Sequence, residues 1–299
     1  MSLRHWIAER IPARGVRAAA APYVAGDSLT AALQFADELW HQRGIRTTLD
    51  VLGEHVTSAE RAEQACETYL NAADRITERP WASLSVKPGH FGFHVDPALL
   101  ERLTRRLAQR CQAQGTRLTL DMEDRDLTEA TIDLYRTLRP EFDTLGMVLQ
   151  TKLFRTPGDL EQLAGLGARV RMCIGVYDVP PSVGHQRKHD AKEELLRLLP
   201  RALELLDVVE LATHDETVIA QARELLTQRR VPRRRFEFQM LMGVPRRRLQ
   251  DELRAAGHDV RLYVPFTESW PDAVAYLRRR LAESPSMAWL VARNLLHRG

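Results

Sequence analysis

The chain has little cysteine, little lysine and no long apolar run. Its three cysteines, Cys66, Cys111 and Cys173, lie far apart and form no CxxC or Cys/His pattern. That excludes a disulfide-stapled secreted scaffold and a zinc ribbon, and fits free thiols in a reducing cytosol. No stretch of the sequence approaches the roughly 18 uncharged apolar residues of a membrane span, which excludes an integral membrane protein. Lysine supplies four of the 43 Lys and Arg residues and arginine the rest, for a formal net charge of +3 with 28% of residues charged. So small an excess argues for a soluble cytoplasmic protein, at most peripheral to the inner face of a membrane, and against a nucleic-acid binder. The Arg-rich segment 4–26 contains Glu9 and lacks serine bias, so it reads as a lead-in helix rather than a transit peptide.

What the sequence has is a rhythm. Eight times a short apolar, β-branched run ends in a polar residue and is followed by a helix-like stretch. The runs are RTTLDVL ending near Glu54, WASLSVK at Lys87, TRLTLDMED with Asp121, and TLGMVLQ at Gln150. RVRMCIGVY follows with Arg171 and Tyr177, then VVELATHD with Thr213 and His214, FEFQMLM with Glu237 and Gln239, and VRLYVPF with Tyr263. Strands separated by helices pair in parallel, and eight such units predict an α/β fold, a (β/α)8 TIM-like barrel with its chemistry at the carboxyl ends of the strands. At 299 residues the chain suffices for one such domain, 1–299. A helical addition occupies 1–44, and the barrel with C-terminal helices occupies 45–299. Helices are expected at 28–43, 58–73, 97–114, 128–138, 157–166, 191–206, 216–228, 246–256, 271–283 and 287–296.

The strand ends carry more cations than acids, which suits an anionic ligand, because guanidinium forks bind carboxylate or phosphate bidentately. A clustered His or Asp/Glu ligand set is absent there, so no metal is expected. On the helix after the last run stand Arg278, Arg279 and Arg280, of which an adjacent pair can straddle a pocket. The runs RRVPRRR (229–235) and RRR (246–248) resemble phosphate or lipid binders, and a solvated face accounts for them as simply. The loop 178–190, DVPPSVGHQRKHD, interrupts the rhythm on the catalytic face, where long loops often serve as lids.

In order along the chain, YVAGDSL, LDVLGE, SLSVK, LDMED, GMVLQTKLFR, RMCIGVY, LATHD, RFEFQMLMGV, LYVPF and YLRRRLAESP resemble the monofunctional bacterial proline dehydrogenases, flavoenzymes on a distorted (β/α)8 barrel. The resemblance implies that Lys87 holds the substrate carboxylate and pairs with Asp121, that Arg279 and Arg280 clamp the same carboxylate, and that Tyr177 and Tyr263 line the substrate ring. It implies FAD as cofactor, with Arg171 near the flavin N5, Met122 and Gln150 against the ring system, and Ile174, Gly175 and Val176 along its edge. Thr213 and His214 are placed at the adenosine half, with Glu237 and Gln239 close by. Asp121 and Arg171 are then the catalytic residues, and electrons from proline leave to a quinone or another acceptor.

The fifth run departs from the family pattern. Ile174 stands where the family has lysine, Val176 where it has alanine, and a proline-rich loop follows Tyr177. The second run also continues as KPGHFGF where the family tends to a Leu-Thr or Leu-Ser step. Three readings follow: a proline dehydrogenase, a relative with the same chemistry on a different amino acid or amine, and a barrel that binds an anion without catalysis.

Overall fold

The computed structural model describes residues 12–53, 55–271, 273, 274, 277 and 278. The strands are β1 (Arg46–Val51), β2 (Ala82–Val86), β3 (Leu118–Leu120), β4 (Leu145–Gln150), β5 (Arg169–Cys173), β6 (Val208–Ala212), β7 (Phe236–Leu241) and β8 (Asp259–Phe266). All eight pair in parallel and in chain order, and β8 returns to β1 in a register running from Arg46↔Arg261 to Val51↔Phe266. The expected (β/α)8 barrel is the fold the chain adopts.

Two helices, α1 (Ala13–Ala20) and α2 (Leu29–Arg43), precede the barrel. Between the strands lie α3 (Ala59–Arg75), α4 (Pro97–Ala113), α5 (Arg125–Leu138), α6 (Thr156–Glu161), α7 (Lys188–Leu205), α8 (Glu216–Gln228) and α9 (Arg247–Ala255). Ser28, Ser58, Asp96, Asp124 and Asp215 each accept a backbone N–H at a helix start. The Asp124 cap begins α5 three residues ahead of the expected position. Helix α6 stops at Glu161 rather than near Leu166, and the chain beyond it passes through Gly165 and Gly167 at φ +76° and +61°. Those are left-handed values at which a helix ends. Residues 270, 271, 273, 274, 277 and 278 are helical, as expected after β8. The expected helix at 287–296, residues 1–11, Glu54 and the Arg279–Arg280 pair lie outside the described residues.

Alternation along the strands separates two environments. Leu49, Leu84, Met147, Leu211, Phe238 and Val264 are fully or almost fully buried and join the inner faces of the helices in one apolar cluster. Residues on the opposite strand face are largely polar and bond to one another inside the barrel, between neighbouring strands and beyond. Thr48 meets Ser83 at 2.9 Å, and Arg261 reaches Glu237 through Nε at 2.6 Å and Nη2 at 3.2 Å. Arg261 Nη1 also donates to Ser83 Oγ at 2.8 Å and to the Thr47 carbonyl at 2.6 Å. Gln239 Nε2 donates to Glu210 at 2.7 Å and Glu237 at 2.9 Å. Gly146 makes room for this interior, because a Cβ there would lie 3.2 Å from the Arg169 side chain.

The position of Glu237 corrects the sequence reading, which put it at a strand end. It is the second residue of β7, near the amino end of the barrel, with its carboxylate on Arg261 and Arg46. Burial pushes its pKa up, and the Arg261, Arg117 and Arg46 guanidinia overcome that and hold it at about 2.

Removing one partner of such a pair leaves a buried charge unmatched. Arg261→Met is therefore expected to destabilise the fold by about 3–5 kcal/mol, read as a lower urea midpoint. A change below about 1 kcal/mol would show the pair to be dispensable.

Candidate active site

Above this layer, at the carboxyl ends of the strands, a second polar cluster forms. Lys87 follows β2 and is 5% exposed, and its Nζ donates to both Asp50 oxygens at 2.6 and 2.7 Å. The ammonium stands 3.3 Å from the Tyr263 hydroxyl and 3.9 Å from Asp121. Asp121 follows β3. Its Oδ1 accepts from Ser85 at 2.6 Å and from Arg171 Nη1 at 2.7 Å, and its Oδ2 accepts from Tyr263 at 2.5 Å. Arg171 also donates from Nε to Gln239 Oε1 at 2.6 Å and lies 5.2 Å from the Tyr263 ring centre.

The structure thus brings Lys87, Asp121, Arg171, Gln239 and Tyr263 into one network. The main partner of Lys87 is Asp50, with Asp121 more distant. Burial pushes the Asp50 carboxyl up against the pull of the Lys87 ammonium. Burial likewise raises the Tyr263 hydroxyl, and Asp121 raises it further. For Arg171, burial works against the charge, and the Asp121 and Glu210 carboxylates, with smaller contributions from other neighbours, together more than offset it. The phenol is therefore a fixed neutral donor and the guanidinium a fixed cation.

Several groups beside this network suit a large polar ligand. Arg171 Nη2 is buried without a hydrogen-bond partner among the described residues. Gly175, at φ +86°, has its Cβ position 2.5 Å from Gln150 Oε1, so only a bare backbone fits beside that carboxamide. Gln150 is itself fixed by donating to the Glu123 carbonyl at 2.7 Å. His214 Nε2 accepts the Leu241 N–H at 3.2 Å, so in the neutral ring the proton sits on Nδ1, a buried donor without a partner among the described residues. Burial and the nearby Arg246 lower the His214 pKa to about 4. A fixed guanidinium, an imidazole N–H and glycine-bared backbone form a donor set that fits the flavin implied by the sequence.

The remaining candidates are less engaged. Met122 is buried, Ile174 packs half-buried against the apolar core, and Val176 is 56% exposed. Tyr177 is half-buried and its carbonyl accepts from Lys152 Nζ at 2.5 Å. The Thr213 hydroxyl accepts the Asp215 N–H at 3.1 Å, inside its own turn. The loop after Tyr177 runs only to Arg187, because α7 begins at Lys188. It docks on the turn after β4: His185 N–H donates to the Lys152 carbonyl at 2.8 Å, and Phe154 N–H to Val183 at 3.0 Å. A Leu153↔Gly184 bridge adds to these, so the expected lid is a strap tied down by main-chain bonds.

Sequence reasoning missed Asp50, Tyr69 and Ser85. Asp50 was visible as the one acid inside the β-branched run RTTLDVL, where the reading chose Glu54 instead. The Tyr69 hydroxyl, 3.3 Å from Asp50, arrives from helix α3 and leaves no local signal. Among the described residues no group of three or more His, Cys, Asp or Glu could hold a metal. Among them also, no helix is long and apolar enough to cross a membrane.

The family model described as proline dehydrogenase matches residues 32–177 and 181–293. Proline dehydrogenase 1 of Bacillus subtilis is 32% identical over 285 residues, covering 95% of this chain and 93% of that protein. Proline dehydrogenase of Deinococcus radiodurans is 33% identical over 282 residues, covering 92% and 89%. Among solved structures, proline utilization A from Bdellovibrio bacteriovorus superposes with a TM-score of 0.78 at 19% identity, over 88% of this chain and 32% of that one. Proline utilization A from Corynebacterium freiburgense gives 0.76 at 23% identity, over 97% and 33%. This chain spans about a third of the length of those two structures, which share its fold.

Two outcomes follow from the geometry. Asp50→Asn strips Lys87 of its charged partner and is expected to cost about 3–5 kcal/mol by urea unfolding, whereas Tyr69→Phe costs about 1 kcal/mol. His214 protonates freely in the unfolded chain near its ordinary 6.5 and in the fold only near 4. The unfolded state therefore takes up the proton first, and the fold loses up to roughly 3 kcal/mol as pH falls through that window. His214→Gln should remove this part of the pH slope in thermal melts; an unchanged slope would show that His214 is not the group responsible.

Proposed function

The chain belongs to the proline dehydrogenase family and is an oxidoreductase acting on proline, and from that premise we propose that it oxidises L-proline to pyrroline-5-carboxylate with FAD. The observation that carries the residue assignment is the closed network of Asp50, Lys87, Asp121, Arg171 and Tyr263 at the mouth of the barrel. FAD, when bound, supplies the two-electron acceptor, by hydride transfer from the ring carbon next to nitrogen. A quinone or another acceptor then takes the electrons.

The chain's own residues hold, orient and polarise. Lys87 binds the substrate carboxylate together with Arg279 and Arg280, and Asp50 keeps its ammonium from swinging away. Fixing the carboxylate fixes the ring, which supplies the orientation part of the rate enhancement. Tyr263 and Tyr177 border the ring. Both oxygens of Asp121 are already bonded, one to Ser85 and Arg171 and the other to Tyr263. It therefore serves as the anchor of the cationic and phenolic groups rather than as a free base. Arg171, with one nitrogen unspent, presents fixed positive charge where negative charge accumulates, and buried fixed dipoles act there without reorganising. Gln150, Met122 and the stretch Ile174 to Val176 would border the flavin, with Thr213, His214 and Gln239 toward its far half.

Ile174, Val176 and the docked strap all differ from the family pattern at the site's edge. They favour, as a second reading, the same oxidation on a different amino acid or amine.

Protein reconstituted with FAD is expected to show flavin absorbance that bleaches anaerobically on adding L-proline. Absence of bleaching with proline alongside bleaching with another cyclic or secondary amine selects the second reading. Arg279→Met or Arg280→Met is expected to raise KM for proline at least tenfold, about 1.4 kcal/mol or more. An unchanged KM removes that arginine from the clamp.

A further inference from the structure

The basic run at 229–235 has no part in the site just described. It borders a cavity of about 800 Å³ at the opposite pole of the barrel, between α8, the 3-10 turn Arg233–Arg235, and the turn that joins α9 to β8. Phe236, the first residue of β7, and His258, which precedes β8, mark that pole as the amino end of the strands.

Four cationic or protonatable groups ring the cavity: Arg223, Arg230, Arg233 and His258. Many surface arginines elsewhere reach carboxylates; Arg102, Arg105, Arg110, Arg155, Arg197 and Arg201 do so at 2.5–2.6 Å. The guanidinium groups of Arg223, Arg230 and Arg233 have no hydrogen bond or ion pair to any described residue, their bonds being main-chain ones. Of the nearby acids, Glu224 also lines the cavity and accepts from the Gln228 amide at 3.0 Å, while Asp259 pairs with Arg46 and Arg254. A Cβ at Gly257 would collide with the Arg233 guanidinium, which places that cation on the turn beside His258. Burial lowers the His258 pKa, and the Arg223 and Arg233 guanidinia lower it further against the opposing Asp259 carboxylate.

Three guanidinia and an imidazole gathered around a concave surface that holds a single carboxylate, Glu224, leave an excess of positive charge that suits an anion. Leu226, Val231 and Phe236 give the cavity an apolar floor, suited to a ligand with a non-polar body as well as charge. Its volume lies in the range of small-molecule pockets. A lipid surface fits less well, because the large hydrophobic residues exposed among those described are Val95, Phe154 and Val176, none at this rim. We propose that this cavity is a second ligand site, for a soluble phosphate-bearing molecule of nucleotide size such as a nucleoside polyphosphate.

The test is calorimetric titration of the full chain with ATP in saturating FAD, so that the flavin site is occupied. One ATP per chain is expected to bind, with inorganic pyrophosphate competing. Arg223→Gln combined with Arg233→Gln should weaken binding at least tenfold, and Arg102→Gln, on another face, should change it less than twofold. Arg230→Gly separates binding from folding, because glycine suits the φ of +52° found there. It should weaken ATP while leaving the melting temperature unchanged or higher. The proposal is overturned by no binding at millimolar ATP, or by binding that survives both sets of substitutions. It is equally overturned if phosphatidylglycerol vesicles bind through these arginines and ATP does not compete.

Discussion

Charge balance inside a closed barrel is the constraint on which the rest of this structure depends. The strands face their apolar residues outward, against the helices, and their charged residues inward. Each inward charge must therefore find a partner across the axis, since water cannot solvate it. Gln239 joins the two layers of this interior: its carbonyl oxygen accepts from Arg171 above, and its amide donates to Glu210 and Glu237 below. Paired charges of this kind roughly break even against apolar packing. Stability therefore comes chiefly from the outer layer of Leu, Val and Phe, and the interior contributes geometry.

That division explains how the catalytic end is organised before any ligand arrives. Asp50 holds Lys87, Asp121 holds Arg171 and Tyr263, and Gln239 holds Arg171 from below. A side chain fixed by two or three partners does not reorient when charge develops beside it, and this is the condition under which electrostatic stabilisation is largest. The same logic distinguishes the two poles. At the carboxyl end Lys87 and Arg171 are matched by Asp50 and Asp121, and Arg171 Nη2 is left without a partner among the described residues. At the amino end the cavity gathers three guanidinia around one carboxylate, Glu224.

The barrel was legible because eight β-branched runs alternate with helical stretches, and parallel pairing then leaves few alternatives. Lys87, Asp121, Arg171, Gln239 and Tyr263 were legible because each is polar within or at the end of an apolar run, and the structure joins all five. What escaped was depth. A polar residue in a run shows that it faces inward without showing how high along the axis it sits, which is why Glu237 was read as a strand end. Partners from other elements escaped as well: Tyr69 comes from a helix, and its role exists only once α3 has packed on β1. The Thr213 hydroxyl also accepts the Asp215 N–H in the turn that starts α8, a local bond that the run VVELATHD does not announce.

The departure at Ile174 can be placed by the same accounting. Inside the barrel each of Asp50, Asp121, Glu210 and Glu237 has a cationic partner, in Lys87, Arg171, Arg169 and Arg261, and Glu237 meets Arg46 as well. These acids are matched without a further cation at position 174. Ile174 instead packs half-buried on the apolar cluster. A lysine at that position would add a cation that the fold does not require, worth a Coulomb contribution of about 1 kcal/mol toward a nearby negative charge at a partly solvated site and more at a dry one. The fixed charge present at this end of β5 is Arg171, and Asp121 holds it there.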